Sequence, residues 1–146
     1  MFEKFSNSFL KDFDFNLLID RFENKSFRTY LKGDSIIKQG NSPSEIYFII
    51  SGKVKIGNTL TDGKLSTQYE LTGGDILGID DALRNENYSY TAVADDDTNV
   101  MVISKEEMLS FKGTNDEFNI WLLKYLSDRI SKLEDKKFRP AMLNFF

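Results

Sequence analysis

"GDSIIKQGNSPSEIYFIISGKVKI", residues 33–56, places three glycines, one of the chain's two prolines and five consecutive apolar residues, Ile46 to Ile50, within 24 positions. Glycine costs a helix interior roughly 1 kcal/mol per residue relative to alanine, and a flexible linker carries no such apolar run. The stretch reads as short strands joined by sharp corners. Gly33-Asp34 and Gly40-Asn41 bracket the strand "SIIKQ", and Ser51-Gly52 turns "IYFII" back into "KVKI". "IYFII" is expected to be a central strand packing the interior of a barrel or sandwich.

The same grammar extends outward from this stretch. "SFRTYL" alternates Phe27, Thr29 and Leu31 against Arg28 and Tyr30, which suits a strand. Asp62-Gly63, between "IGNTLT" and "KLSTQYEL", predicts a two-residue type I′ hairpin, whose central positions both need positive φ. Gly73-Gly74 ends that hairpin, and "SYTAVA" and "NVMVIS" flank the acidic turn Asp95-Asp96-Asp97. Seven or eight short strands from residue 25 to 103, with no helix between them, predict a mainly β, antiparallel roll or jelly roll.

Helical patterns stand at both ends. Phe2, Phe5, Phe9 and Phe13, then Leu17, Leu18 and Phe22, predict a helical cap over 1–24. After Ser104, two capping-box patterns, Ser104 with Glu107 and Thr114 with Glu117, open helices over 104–138. The longer runs from about Asn115 to Phe138 and is stopped by Pro140, leaving a tail at 139–146. At 146 residues the whole reads as a single domain.

Composition narrows the chemistry. The chain has no cysteine and no histidine, so disulfides, thiol nucleophiles, Ser-His-Asp triads and the usual zinc ligands are excluded. No enzymatic role, metal or cofactor is expected. The net charge of −4 argues against nucleic-acid binding by the chain itself. No run of 18 apolar residues exists to span a membrane. The acidic, interrupted N-terminus lacks a secretion signal's apolar core, so a cytoplasmic setting is expected.

Gly33-Asp34, Gly40, Tyr47-Phe48-Ile49 and Ser51-Gly52-Lys53-Val54 together resemble the opening of the cyclic-nucleotide-binding domain of catabolite activator proteins, protein kinase A regulatory subunits and gated channels. "LTGGDILG", residues 71–78, is similar to the lead into that family's phosphate-binding cassette, and "VMVISKEEMLSF" to its closing strand and following helix. The resemblance implies a cassette from Gly78 to about Thr91. There the family holds the ribose with a glutamate directly after the glycine. It holds the phosphate with an arginine about ten residues on, followed by a small residue. In this chain those positions are Ile79, Tyr88 and Ser89, and the segment sets Asp80, Asp81 and Glu86 against the single Arg84. Binding of cyclic AMP or cyclic GMP in the usual mode is therefore not expected. The candidate ligand residues, for a nucleotide or another small-molecule effector, are Gly78, Ile79, Asp80, Asp81, Ala82, Arg84, Tyr88, Ser89, Tyr90 and Thr91.

In the family's transcription factors the helix matching 115–138 forms a dimer axis and a helix-turn-helix domain follows. Here "RPAMLNFF" follows, too short for such a domain, so no DNA reader is expected in the chain. A helix of about 23 residues is roughly 35 Å long, more than one small roll can cover. The stripe could simply cover the chain's own roll, but at this length part of it is expected to meet a second copy, giving a homodimer through the helix residues Phe118, Trp121, Leu122, Tyr125, Leu126, Arg129, Ile130 and Leu133. Two readings stay open: a ligand-sensing regulatory domain, and a non-sensing dimerisation module with a vestigial pocket.

Overall fold

A computed structural model describes residues 20, 22–112 and 116–137, with side chains to 110 and from 116 to 131. The expected N-terminal cap lies outside the described residues except near its end, where Phe22 is buried. Eight strands follow: β1 (Lys25–Tyr30), β2 (Ser35–Ile37), β3 (Glu45–Ser51), β4 (Lys53–Thr59), β5 (Leu65–Thr72), β6 (Ile76–Leu77), β7 (Thr91–Ala94) and β8 (Thr98–Ser104). Between β6 and β7 sits a short helix, α1 (Ile79–Arg84); α2 (Lys105–Lys112) and α3 (Asp116–Lys137) follow β8.

The strands form two antiparallel four-stranded sheets, ordered β1-β8-β3-β6 and β2-β7-β4-β5. This is the expected antiparallel β-roll. Its interior, between the sheets, is filled by residues such as Ile37, Ile49, Val54, Ile56, Leu77 and Val100. A second core lies on the outer face of the first sheet, where Ile46, Phe48, Met101 and Ile103 meet α2 and α3.

That second core corrects the reading of "IYFII". Side chains alternate along a strand, so only Tyr47 and Ile49 enter the roll, while Ile46 and Phe48 face the helices. The continuous apolar run marks a strand buried on both faces.

The hairpin between β4 and β5 is also corrected. Its last pair is Thr59 with Leu65. The Leu60 amide donates to the Lys64 carbonyl at 2.8 Å and the Gly63 amide to the Leu60 carbonyl at 2.9 Å. Only Gly63 takes positive φ, at 84°. The loop is the three-residue form, a turn followed by one left-handed residue, and Asp62 needs no positive φ. At the other corner, Gly52 has φ 112°, and a Cβ there would meet the Asp97 carbonyl at 2.6 Å. Only glycine fits.

The cap of α2 forms as half of a box. Ser104 Oγ accepts from the Glu107 amide at 3.0 Å, but Glu107 Oε1 accepts from the Glu23 amide at 3.1 Å, tying the start of β1 to α2. Thr114, of the second box, lies outside the described residues.

The apolar stripe of α3 needs the largest correction. Phe118, Trp121, Leu122 and Tyr125 are buried against the chain's own first sheet and are not free to meet a second copy. Rings stack in series along it, with centroids 6.5 Å apart for Phe48–Trp121, 5.6 Å for Phe118–Trp121 and 5.8 Å for Trp121–Tyr125. Leu126 is partly buried against the same core. The apolar residues of α3 that face solvent are Ile120, Leu123 and Ile130; the side chain of Leu133 lies outside those described.

Candidate functional site

The cassette is the connection from β6 through α1 to β7. The structure does not gather the ten expected residues around one space; seven of them fall into three separate surroundings. Ile79 and Ala82 point from α1 into the helix-side core. Tyr88 and Tyr90 point into the roll interior. Asp81, itself buried, binds both Arg84 and Ser89.

Tyr88, which the sequence resemblance sets at the family's arginine position, is held by three hydrogen bonds. Its carbonyl accepts from the Gly40 amide and its amide donates to the Asn41 carbonyl, each at 2.9 Å. Its phenol donates to the Glu45 carbonyl at 2.9 Å. The ring lies directly over Gly78, where a Cβ would come within 3.1 Å of it. Burial pushes this phenol up to about 12. Tyr90 Oη accepts from the Gly78 amide at 2.8 Å, and burial raises that phenol further still. Thr91, at the start of β7, accepts from the Gln39 amide at 3.1 Å and meets Thr59 Oγ1 at 2.8 Å.

Asp81 is the buried anion of the cassette, with 0% exposure. Its Oδ1 pairs with Arg84 Nη2 at 2.8 Å, and its Oδ2 accepts from the Ser89 amide at 3.1 Å and from Ser89 Oγ at 3.2 Å. Arg84 Nε lies 3.4 Å from Glu86 Oε2. The cassette's one arginine is thus held by its own acids, with a side chain 51% exposed. Asp80 carries a buried Oδ1 with no hydrogen-bond partner.

The group that sequence reasoning misplaced is Arg129. The helical stripe places it on the dimer face, whereas the structure turns it towards β5 and β6. Its Nη1 donates to the Ile76 carbonyl at 3.2 Å and its Nη2 to Tyr69 Oη at 3.0 Å. The guanidinium lies 5.8 Å from the Tyr69 ring centroid, in cation–π range. One turn earlier, Tyr125 Oη accepts from the Ile76 amide at 2.8 Å. Both outward backbone groups of this edge-strand residue are therefore satisfied by α3. Burial opposes the charge of Arg129, but the oxygens of Tyr125, Tyr69 and Tyr90 and the Asp80 carboxylate outweigh it, and its pKa is raised. The available signal was spacing: Arg129 stands four residues after Tyr125 and so continues the buried stripe.

A second polar cluster lies outside the expected set. Arg28 on β1 grips Glu45 with both nitrogens, at 3.1 and 2.6 Å, and Tyr47 Oη donates to Glu45 at 3.2 Å. The Arg28 hydrogen bonds hold the Glu45 carboxyl below its usual range. Tyr88 is anchored on the carbonyl of this same Glu45. Among the described residues no group of acidic side chains is arranged to hold a metal ion, and no helix is long and apolar enough to cross a membrane.

Comparisons with known proteins agree with this geometry. The chain is 31% identical over 83 residues to the cyclic AMP receptor protein of Thermus thermophilus; the match spans 57% of this chain and 38% of that protein. In structure it is similar to the c-di-GMP responsive global regulator CLP of Xanthomonas campestris, with a TM-score of 0.75 and 17% identity over 88% of this chain and 63% of that one. It is also similar to the regulatory subunit of a cAMP-independent protein kinase A from Trypanosoma cruzi bound to guanosine, with a TM-score of 0.53 and 24% identity over 60% of this chain and 30% of that one. Residues 27–115 match the model of the cyclic nucleotide-binding domain. The chain belongs to the cyclic nucleotide-binding domain family.

Proposed function

We propose that this chain is a regulatory sensor domain that does not take cyclic AMP or cyclic GMP in the family's usual mode. The observation that carries this is the Asp81 carboxylate, wholly buried and already bound to Arg84 and to both donors of Ser89. A phosphodiester there finds the cassette's one arginine already held by Asp81 and Glu86, and would have to displace them to gain a cationic partner. The arginine position is Tyr88, whose phenol is already used on the Glu45 carbonyl. The glutamate position is Ile79, buried in the helix-side core. Relatives of this fold are described with c-di-GMP and with guanosine, which supports a sensor tuned to another ligand. The cytoplasmic setting and the lack of nucleic-acid contact by this chain are part of the proposal.

Calorimetry against cyclic AMP, cyclic GMP, c-di-GMP and guanosine tests it. The expected result is no micromolar binding of either cyclic mononucleotide. Micromolar cyclic AMP binding that Arg84→Gln abolishes would show the cassette works in the usual way and would sink the reading.

A second reading, the non-sensing dimerisation module, is favoured by one observation. Leu123, Leu126, Ile130 and Leu133 recur at spacings of three and four, the period of a coiled pair, and Leu123 and Ile130 are 68% and 57% exposed. The homodimer itself is compatible with either reading. A dimer by sedimentation together with silence across the ligand panel would favour this one.

A further inference from the structure

The two edges of the first sheet are finished differently. At β6 the outward amide and carbonyl of Ile76 are taken up by Tyr125 and Arg129 of α3. At β1 no strand pairs with the outer edge among the described residues. Ser26, Phe27, Arg28 and Thr29 are exposed in succession, and so on both faces of the strand, Phe27 by 59%. An open edge strand is a template for another strand, and proteins commonly guard it with free charges. Here the two charges of β1 are drawn inwards: Lys25 Nζ donates to the Phe22 carbonyl at 2.9 Å, and Arg28 is clamped on Glu45.

We infer that β1 is an interaction surface for a second copy of this chain, pairing antiparallel with the same strand about a twofold axis perpendicular to the sheet. The register follows from faces and charges. Phe27 lies opposite Met101 and so on the helix side of the sheet, and Arg28 opposite Val100 and so on the roll side. Opposed residues of neighbouring strands share a face, so helix-side residues must meet helix-side residues. Two such registers pair five of the six residues of β1. One sets Arg28 against Arg28, a like-charge pair that destabilises a sheet. The other sets Phe27 against Phe27, Ser26 against Arg28 and Lys25 against Thr29. It opposes no like charges and has an aromatic pair at its centre. The two first sheets then form one continuous sheet of eight strands. A single strand pair stands at the weak end of interface sizes, below roughly 1,200 Å². It therefore joins molecules in concentrated protein, separately from any contact made by α3, and holds for a sensing or a non-sensing domain alike.

Disulfide trapping tests this, because the chain has no cysteine of its own. Opposed Cα atoms of antiparallel strands lie about 4.5–5.5 Å apart, within reach of a disulfide. Lys25→Cys and Thr29→Cys chains are mixed at high concentration with oxidised glutathione, and the linked dimers are identified by mass spectrometry. The mixed dimer is expected to exceed either like-with-like dimer by tenfold or more. Ser26→Cys mixed with Arg28→Cys, the next opposed pair, should show the same preference even if one of the first chains folds poorly. Phe27→Asp, an exposed change that sets two carboxylates against each other, should cut the mixed yield tenfold or more. Leu123→Glu with Ile130→Glu should leave that yield unchanged. Mixed and like dimers in statistical proportion, or an unaltered yield with Phe27→Asp, overturn the proposal. A yield lost with the α3 changes would assign the contact to that helix and overturn it too.

Discussion

Tyr88 and Ile79, which the sequence resemblance sets at the family's arginine and glutamate positions, are both locked by packing. Restoring the resemblance at Ile79 is expected to fail, because Ile79 is fully buried in the helix-side core and Ile79→Glu would place a carboxylate there. Such a charge has no partner there, and the variant should lose several kcal/mol or unfold, as thermal melts would show. The tyrosines make a pH prediction. Burial raises the phenols of Tyr47, Tyr88, Tyr90 and Tyr125, that of Tyr88 to about 12. An unfolded phenol ionises near 10, so between these values the folded state binds more protons than the unfolded one. Stability is therefore full below about pH 10 and falls as pH rises towards 12. Urea midpoints measured from pH 8 to 12 should drop steadily over that window. A flat profile would mean that the phenols reach solvent.

At the scale of elements, the two-residue strand β6 shows how much a helix can decide. Its pairing with β3 is limited to Tyr47–Leu77 and Phe48–Ile76, and the outward groups of Ile76 are satisfied by Tyr125 and Arg129. Tyr125→Phe leaves the Ile76 amide buried without an acceptor and is expected to cost about 1–3 kcal/mol. Hydrogen exchange at that amide should accelerate by more than the global loss explains. The cassette has its own staple. Asp81→Ala strands the Ser89 amide and leaves Arg84 with Glu86 alone, and a cost of about 1–3 kcal/mol is expected, with increased proteolysis between Asn85 and Asn87. Unchanged proteolysis there would mean that the turn at Asn85, which adopts φ 55°, holds the loop unaided. These ties span about 50 residues of sequence in the case of Tyr125, and no local pattern announces them.

Among the described residues the roll is covered on one outer face by α3, whose Ile120, Leu123 and Ile130 are exposed. The homodimer proposed above would join through Leu123, Leu126 and Ile130. Leu123→Glu with Ile130→Glu is expected to shift sedimentation to the monomer while leaving the fold intact, since both residues are exposed. A dimer surviving that double change would place the contact elsewhere. Trp121→Ala, by contrast, removes the centre of the ring stack and should cost about 3–5 kcal/mol whatever the oligomeric state.

What the sequence determined is the roll. Its corners need residues that tolerate positive φ, its strands need alternating or doubly apolar runs, and both are local properties of a few adjacent residues; hence Gly52, the run from Ile46 to Ile50 and the turn at Asp95–Asp97 could be read directly. The tertiary structure alone decided which face of α3 is spent on the chain's own sheet, that Asp81 closes the cassette on itself, and that Arg129 stands beneath it. Those outcomes depend on which distant groups meet once the helix docks, and a helical stripe has the same 3.6-residue period whether its partner is its own sheet or another copy.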